Sequence, residues 1–121
     1  ININMNFELT QEQRLVQKTA REFSLTELLP GAVDRDISKT WPKDAVKKMA
    51  ELGFMGMMVS PNWSGGGMDT VSYAIAMEEI ARSDASASVI MSVNNSLVCY
   101  LLEKYGSDFI KNNYLNKLAT R

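Results

Sequence analysis

The chain has 121 residues, 45% of them apolar, with a formal net charge of −1 and a pI near 5.4. This length suits one domain with a sizeable core, and the charge gives no indication of a nucleic-acid or anionic-membrane partner. Histidine is absent, which removes the commonest general base and the commonest metal ligand, so neither a His-dependent triad nor a metal site is predicted. Cys99 is the single cysteine and cannot form an internal disulfide.

The start of the chain shows no signal-peptide pattern, and no apolar run looks long enough to span a membrane. Met5 is the expected natural start, because MNFELT leads directly into the first predicted helix. Ile1 to Asn4 are then expected to be a tag or a disordered start, and residues 5–121 are expected to form the domain.

The first predicted helix begins at Thr10, which can form a capping box with Gln13. Pro30 either ends this helix or kinks it, because proline lacks a backbone N–H and crowds the preceding turn. The apolar face of the helix is expected to contain Val16, Ala20 and Phe23.

A second helix is predicted from Pro42, which suits a first helical position, to Gly53, which suits a helix end. The following FMGMMVS is too short and too interrupted by glycine to predict a helix. Four of the eight methionines lie within residues 49–58, and core filling is favoured there over a promiscuous binding groove. The buried face of the helix is expected to contain Val46, Met49, Ala50 and Leu52.

The segment SPNWSGGGMD is rich in turn residues and contains three consecutive glycines. It lacks the spacing of a phosphate-binding loop. A flexible surface connection is favoured, and the alternative is that the glycines permit the close approach of another surface. Asp69 or Thr70 is then expected to cap a helix over residues 71–82, in which Glu78 and Arg82 are spaced to pair.

The stretch from Asp84 to Leu102 predicts a central helix that is capped by Asp84 and ends before Gly106. Its apolar residues cover two sides, which predicts burial on most faces, and Cys99 is expected to be a buried structural thiol. Four polar residues interrupt the apolar surface, so their groups must meet backbone, water, another domain or a ligand. The polar residues are Ser92, Asn94, Asn95 and Ser96; the apolar ridge is Val89, Val93, Leu97 and Leu101, with Ile90 beside it.

Ser107 is expected to cap a last helix, and the predicted fold class is all-α, an orthogonal or up-down helical bundle of about five to six helices. Periodicity alone identifies no chemistry. Adjacent Glu78 and Glu79 point about 100° apart on a helix, which suits them poorly to act together as acid and base. The inward residues of the last helix are expected to be Phe109, Ile110, Tyr114, Leu115 and Leu118.

Several motifs follow one another along the chain: LTQEQ, LLPGAVDRD, ELGFMGMMVSPNWSGGGMD, EEIARSDASASVIMSVNNSL and KYGSDFIKNNYLNKLA. Together they resemble the N-terminal helical domain of the acyl-CoA dehydrogenases over essentially the whole chain. The stretch VIMSVNNSL is most similar to the short-chain, or butyryl-CoA, branch. Against the family's YGGxGxD, the chain has Trp63 for tyrosine and Ser64 for glycine, which puts the backbone angles at Ser64 in question.

The resemblance implies a longer flavoenzyme with a middle β-domain, a C-terminal helical domain, FAD as cofactor and homotetrameric assembly. Such enzymes oxidise acyl-CoA to trans-2-enoyl-CoA: a glutamate base removes the α-proton, the β-hydrogen leaves as hydride to the flavin, and electron-transfer flavoprotein accepts the electrons. The matching flavin loop and glutamate are expected beyond this chain, so it should be inactive alone, with no catalytic, cofactor-binding or metal-binding residue. The expected location is a bacterial cytoplasm in preference to the mitochondrial matrix.

The resemblance also implies that the central helix lines the far end of the acyl-chain cavity. The alternative role for these residues is simple bundle core. For the chain as a whole, the alternative is a stand-alone helical interaction module of the same fold, without flavin or catalysis. The residues implied to line the cavity are Val89, Ile90, Val93, Asn94 and Leu97.

Overall fold

The computed structural model describes residues 6–121, which contain six helices, several 3₁₀ turns and no strand, and so confirm the all-α prediction. The expectations for Ile1 to Asn4 and for a start at Met5 lie outside the described residues. The helices are α1 (Gln11–Phe23), α2 (Ala32–Ser38), α3 (Lys43–Glu51), α4 (Thr70–Ala81), α5 (Ala85–Tyr105) and α6 (residues 108–120).

Helix starts follow the local sequence closely. Four helices begin after a residue whose side-chain oxygen accepts a hydrogen bond from the backbone N–H three residues later, which satisfies one of the free donors of the first turn. The prediction for Pro42 was wrong by one position, because Pro42 precedes α3 instead of occupying its first turn. The four capping residues are Thr10, Asp69, Asp84 and Ser107.

The proline after α1 kinks the chain and does not end the helical path. A wide π-helical turn, Ser24–Leu28, follows α1, and a 3₁₀ turn, Leu29–Gly31, then leads into α2. Pro30 occupies this 3₁₀ turn, where its missing N–H removes no bond from a regular α-helix. After this turn, α2 and the start of α5 line one groove.

The main core lies between α1, α3, α4 and α5 and includes the predicted apolar face of α1. Three of the four methionines within residues 49–58 fill this core, as predicted, and Met58 is half-buried. In contrast, Leu52 is 49% exposed, and Phe109 and Tyr114 are also exposed, so their predicted burial was wrong. The buried apolar residues of this core are Val16, Ala20, Phe23, Leu28, Met49, Ala50, Phe54, Met55, Met57, Ala76, Ile80, Ala87 and Met91.

The glycine triplet is held against the preceding turn, so the prediction of a flexible surface connection was wrong. The backbone N–H of Gly66 donates to the Gly56 carbonyl (2.9 Å), and that of Gly67 donates to the Val59 carbonyl (2.8 Å). A Cβ on Gly65 would lie 2.1 Å from the same Val59 oxygen, a distance that no side chain tolerates. The glycines therefore allow two backbone segments to approach, which is the alternative that the sequence left open.

Ser64 is strained, and replacing it with glycine is expected to stabilise the protein. Its φ of 64° lies in the left-handed region, which costs an L-residue about 1–2 kcal/mol. Ser64→Gly removes that cost but also an exposed hydrogen bond from Asn116, so we expect a net gain of about 0.5–1 kcal/mol in urea unfolding. Asn62→Gly, in the same loop but at negative φ, is the control and should give no gain. Equal gains for both variants would contradict the strain.

Candidate functional site

Helix α5 has one buried face and one half-exposed apolar face. The buried face contains Ala87, Met91, Asn95 and Cys99, none of them more than 2% exposed. Burial on most faces was therefore wrong for this chain by itself, because the ridge predicted to be buried forms the opposite, open face. We call that ridge the wall: Val89 (59% exposed), Val93 (45%), Leu97 (54%) and Leu101 (45%).

The start of the wall borders an open groove of about 690 Å³ between α2, residues 39–42 and the first turns of α5. Val33 and Trp41 form one apolar side, and Val89 and Ile90 form the other. Trp41 is 61% exposed, so an indole faces the groove without a partner in the described residues. Half of the residues that line this groove are polar, so it is more open and more polar than the usual small-molecule pocket.

An ion pair fixes the base of this groove. Arg35 of α2 donates to Asp84 Oδ2 from Nε (3.3 Å) and from Nη2 (2.8 Å), and it also donates to the Leu28 carbonyl. The other carboxylate oxygen of Asp84 accepts the backbone N–H of Ala87 (2.9 Å) and caps α5. One carboxylate therefore both starts α5 and holds α2 beside it.

The structure separates the five predicted lining residues into three groups. Val89 and Ile90 border the groove together. Val93 and Leu97 lie farther along the wall, outside the groove but on the same open face. Asn94 is half-buried, and its amide nitrogen is bonded to backbone carbonyls of the domain.

The polar residues in the middle of α5 meet backbone groups of their own domain. Asn94 Nδ2 donates to the carbonyls of Met55 (2.7 Å) and Leu118 (2.9 Å). Asn95 Nδ2 donates to the carbonyl of Phe54 (2.8 Å). The sequence required partners for these amides but could not identify them, because the acceptors lie more than twenty positions away in the chain.

Cys99 is a buried, unreactive thiol, as predicted. Burial, and secondly the negative charge of Glu103, raise its pKa to about 11. Its sulfur lies 3.6 Å from the amide nitrogen of Asn94. A thiol with so high a pKa is almost entirely protonated at neutral pH, so we assign it no nucleophilic role.

A buried carboxylate on α4 escaped the sequence analysis. Glu79 is 3% exposed and accepts two hydrogen bonds from Arg21 of α1, from Nη2 (2.6 Å) and from Nε (3.0 Å). Arg82 Nη1 lies 3.7 Å from the same carboxylate, so the predicted pair of Glu78 with Arg82 was wrong. These interactions, with the bidentate bond to Arg21 foremost, lower the pKa of Glu79 below its usual value. The pair joins α1 to α4, and neither Arg21 nor Glu79 lines the groove.

By length and composition α5 could cross a membrane, contrary to the sequence expectation. The helix has 21 residues, and its most apolar window has a mean hydropathy of 1.4. One such helix is weak support for a membrane span, since core helices pass the same test. Asn95, in the middle of the helix, is bonded to a neighbouring segment of the domain, which indicates packing within the domain.

The chain matches one family model and is similar to the following three proteins. Residues 10–121 match the family model of the acyl-CoA dehydrogenase N-terminal domain. The short-chain-specific acyl-CoA dehydrogenase of Clostridium acetobutylicum is 39% identical over 115 residues, which cover 95% of this chain and 30% of that protein. Butyryl-CoA dehydrogenase from Megasphaera elsdenii has a TM-score of 0.86 at 28% identity, covering 96% of this chain and 31% of that one. A Mycobacterium smegmatis glutaryl-CoA dehydrogenase in complex with FADH2 has a TM-score of 0.88 at 32% identity, covering 93% and 29%.

The chain thus spans less than a third of the length of each of these relatives. The matched region begins at the Thr10 cap and contains the wall, the groove and the glycine triplet. The sequence motifs, the helical fold and the family match agree over nearly the whole chain. The chain belongs to the acyl-CoA dehydrogenase family, of which it forms the N-terminal helical domain.

Proposed function

We propose that this chain is part of a longer FAD-dependent acyl-CoA dehydrogenase that oxidises short-chain acyl-CoA to trans-2-enoyl-CoA. The observation that carries the proposal is the wall on α5: four aliphatic side chains lie half-exposed on one face of a helix whose opposite face is fully buried. Apolar side chains in water gain about 25 cal/mol for each Å² that they bury, so this face favours an apolar occupant. The family supplies a fitting one, the acyl chain of the thioester.

In this proposal the wall, together with the neighbouring Ile90, limits acyl-chain length by filling space. The branched side chains of Ile90 and Val93 occupy volume where further methylenes of a longer chain would lie. Asn94 keeps its amide nitrogen on backbone carbonyls, so it presents no free N–H to the acyl chain. The domain excludes water from the chain and positions it, and we assign the base that removes the α-proton to another part of the full-length protein.

FAD is the proposed cofactor of the full-length protein, where it would accept the β-hydrogen as hydride. Support comes from the family and from the relative in complex with FADH2. We assign no flavin contact to residues 6–121, because the groove there is open and its guanidinium, on Arg35, is already paired with Asp84. Acyl-CoA as substrate, electron-transfer flavoprotein as electron acceptor and a homotetramer complete the proposal.

The test is to express the full-length protein that carries this domain and residues 10–121 alone. The full-length protein should hold FAD after gel filtration and reduce an artificial electron acceptor in the presence of butyryl-CoA. Residues 10–121 should do neither. A full-length protein that holds no flavin and oxidises no acyl-CoA would instead favour the stand-alone interaction module, for which an open apolar face is equally suited.

A further inference from the structure

The middle of α5 is a wide turn in which two side chains donate hydrogen bonds to carbonyl groups of the helix backbone. Val93–Cys99 is π-helical. At its start Asn95 Nδ2 donates to the carbonyl of Met91, four residues earlier (3.0 Å), and the hydroxyl of Ser96 donates in the same way to its own i−4 carbonyl (2.7 Å). A side chain that inserts into the i→i−4 ladder opens it, so these bonds stabilise the wide turn.

The same turn is tied to two neighbouring segments by amide groups. Asn94 connects α5 to the carbonyl of Met55 in the turn after α3 and to that of Leu118 in α6. Asn95 adds a bond to the Phe54 carbonyl. The side-chain oxygen of Asn95 is buried and has no hydrogen-bond partner in the described part of the chain. A buried oxygen without a hydrogen-bond partner destabilises a fold, so the Asn95 side chain carries a cost in stability.

The wide turn keeps both faces of α5 straight. In an α-helix of 3.6 residues per turn, residues four apart drift by about 40°, so a row of four spaced in this way winds by about 120°. A π turn has more residues per turn, and the drift across it is smaller or reversed. The rows starting at Ala87 and at Val89 are both spaced by four: the first stays within 2% exposure throughout, and the second between 45% and 59%.

We propose that Asn94 and Asn95 are positioning residues that determine acyl-chain length, because their amides hold the wide turn that aligns the wall. This inference rests on the proposed function. Neither amide nitrogen needs to touch the acyl chain: both are occupied by backbone carbonyls. Without these hydrogen bonds the wide turn relaxes toward a regular α-helix, so Val93 and Leu97 rotate about the helix axis relative to Val89. The far end of the cavity is then no longer bounded by one straight row of side chains.

The test uses Asn94→Leu and Asn95→Leu in the full-length holoenzyme, since leucine keeps the branching and size of the side chain but has no N–H. The readout is the ratio of kcat/KM for hexanoyl-CoA to that for butyryl-CoA. This ratio does not depend on the fraction of enzyme that is folded. We expect it to rise roughly three- to tenfold in each variant, which is below the effect of one full methylene in an apolar pocket.

Asn113→Leu is the matched control. Asn113 lies in another π-helical turn, in α6, and makes the same i−4 bond, to the Phe109 carbonyl (2.8 Å), at an exposed position outside α5. Its ratio should equal that of the wild type. If the Asn94→Leu and Asn95→Leu variants do not fold, the exposed Ser96→Ala decides, with an expected rise of about twofold in the ratio.

The outcomes distinguish the two proposals. An active wild type whose ratio is unchanged in every folded variant would overturn the positioning role and leave the proposed function standing. A wild type that oxidises no acyl-CoA would overturn the proposed function, and the positioning role with it. A ratio that shifts in the Asn113 control as strongly as in the Asn94 and Asn95 variants would also overturn the positioning role.

Discussion

Replacing Arg21 with leucine removes both hydrogen bonds that it donates to the buried Glu79 carboxylate, and it is expected to weaken the packing of α1 on α4 more than the loss of an exposed ion pair does. The cause is desolvation: Glu79 is only 3% exposed, so water restores those bonds incompletely. Hydrogen exchange of the α1 and α4 amides in the full-length protein measures this local free energy.

Two further variants distinguish the loss of the Arg21–Glu79 pair from a general effect of changing the surface charge. Lys18→Ala, on the same helix, removes only an exposed i,i+4 pair with Glu22 (3.8 Å) and should change exchange by no more than a few tenths of a kcal/mol. The double variant Arg21→Leu, Glu79→Leu should recover most of the loss, because no charge is then left buried. Equal losses in the Arg21 and Lys18 variants would contradict a buried pair.

The same pair gives a defined pH dependence. The pKa of Glu79 is lowered below its ordinary value of 4.5 in the folded chain, chiefly by its bond to Arg21. The stability that ionised Glu79 contributes is therefore fully present above pH 4.5 and is lost as the pH falls through the lowered pKa. Glu79→Gln should flatten this part of the acid-unfolding profile, and an unaltered profile would contradict the assignment.

Truncation of Val93 in the wall, or of Ile90 beside it, is expected to shift chain-length preference by severalfold per carbon. In the full-length enzyme, Val93→Ala or Ile90→Ala enlarges the far end of the proposed cavity, and one methylene in an apolar pocket is worth roughly 1–3 kcal/mol. The kcat/KM values for four-, six- and eight-carbon acyl-CoA should move toward the longer esters. Val93 is 45% exposed in this domain, so its truncation should cost the domain little stability, whereas half-buried Ile90 packs against the core and should cost more.

Met91→Val provides the control on the same helix. Met91 is fully buried on the opposite face, so the change should cost about 1–2 kcal/mol of stability while the chain-length profile keeps its shape. A chain-length profile that stays unchanged in the Val93 and Ile90 variants would show that these residues do not line the cavity and only pack within the bundle.

Sequence reasoning predicted the parts of the fold that depend on neighbours in the chain. The caps at Thr10, Asp69, Asp84 and Ser107 are local, since each side chain bonds an N–H three residues away. The helical class and the family followed from periodicity and motif order. For the candidate site, the sequence and its resemblance indicated α5 and five of its residues, but not Trp41 or the ion pair of Arg35 with Asp84 that shape the groove.

By itself, then, the sequence determined where helices begin, which residues are apolar and which family the motifs resemble, because these depend on short-range bonding and composition. Only the tertiary structure decided which row of α5 is buried, since the buried row is the less apolar of the two and includes Asn95, yet it is the one that packs against α4, residues 54–56 and α6. It also decided which residues bond to Glu79 and Asn94. Arg21 lies 58 positions from Glu79 in the chain, and Met55 lies 39 positions from Asn94. Such distant pairs leave no periodic signal in a sequence, because their spacing is set by the path of the folded chain.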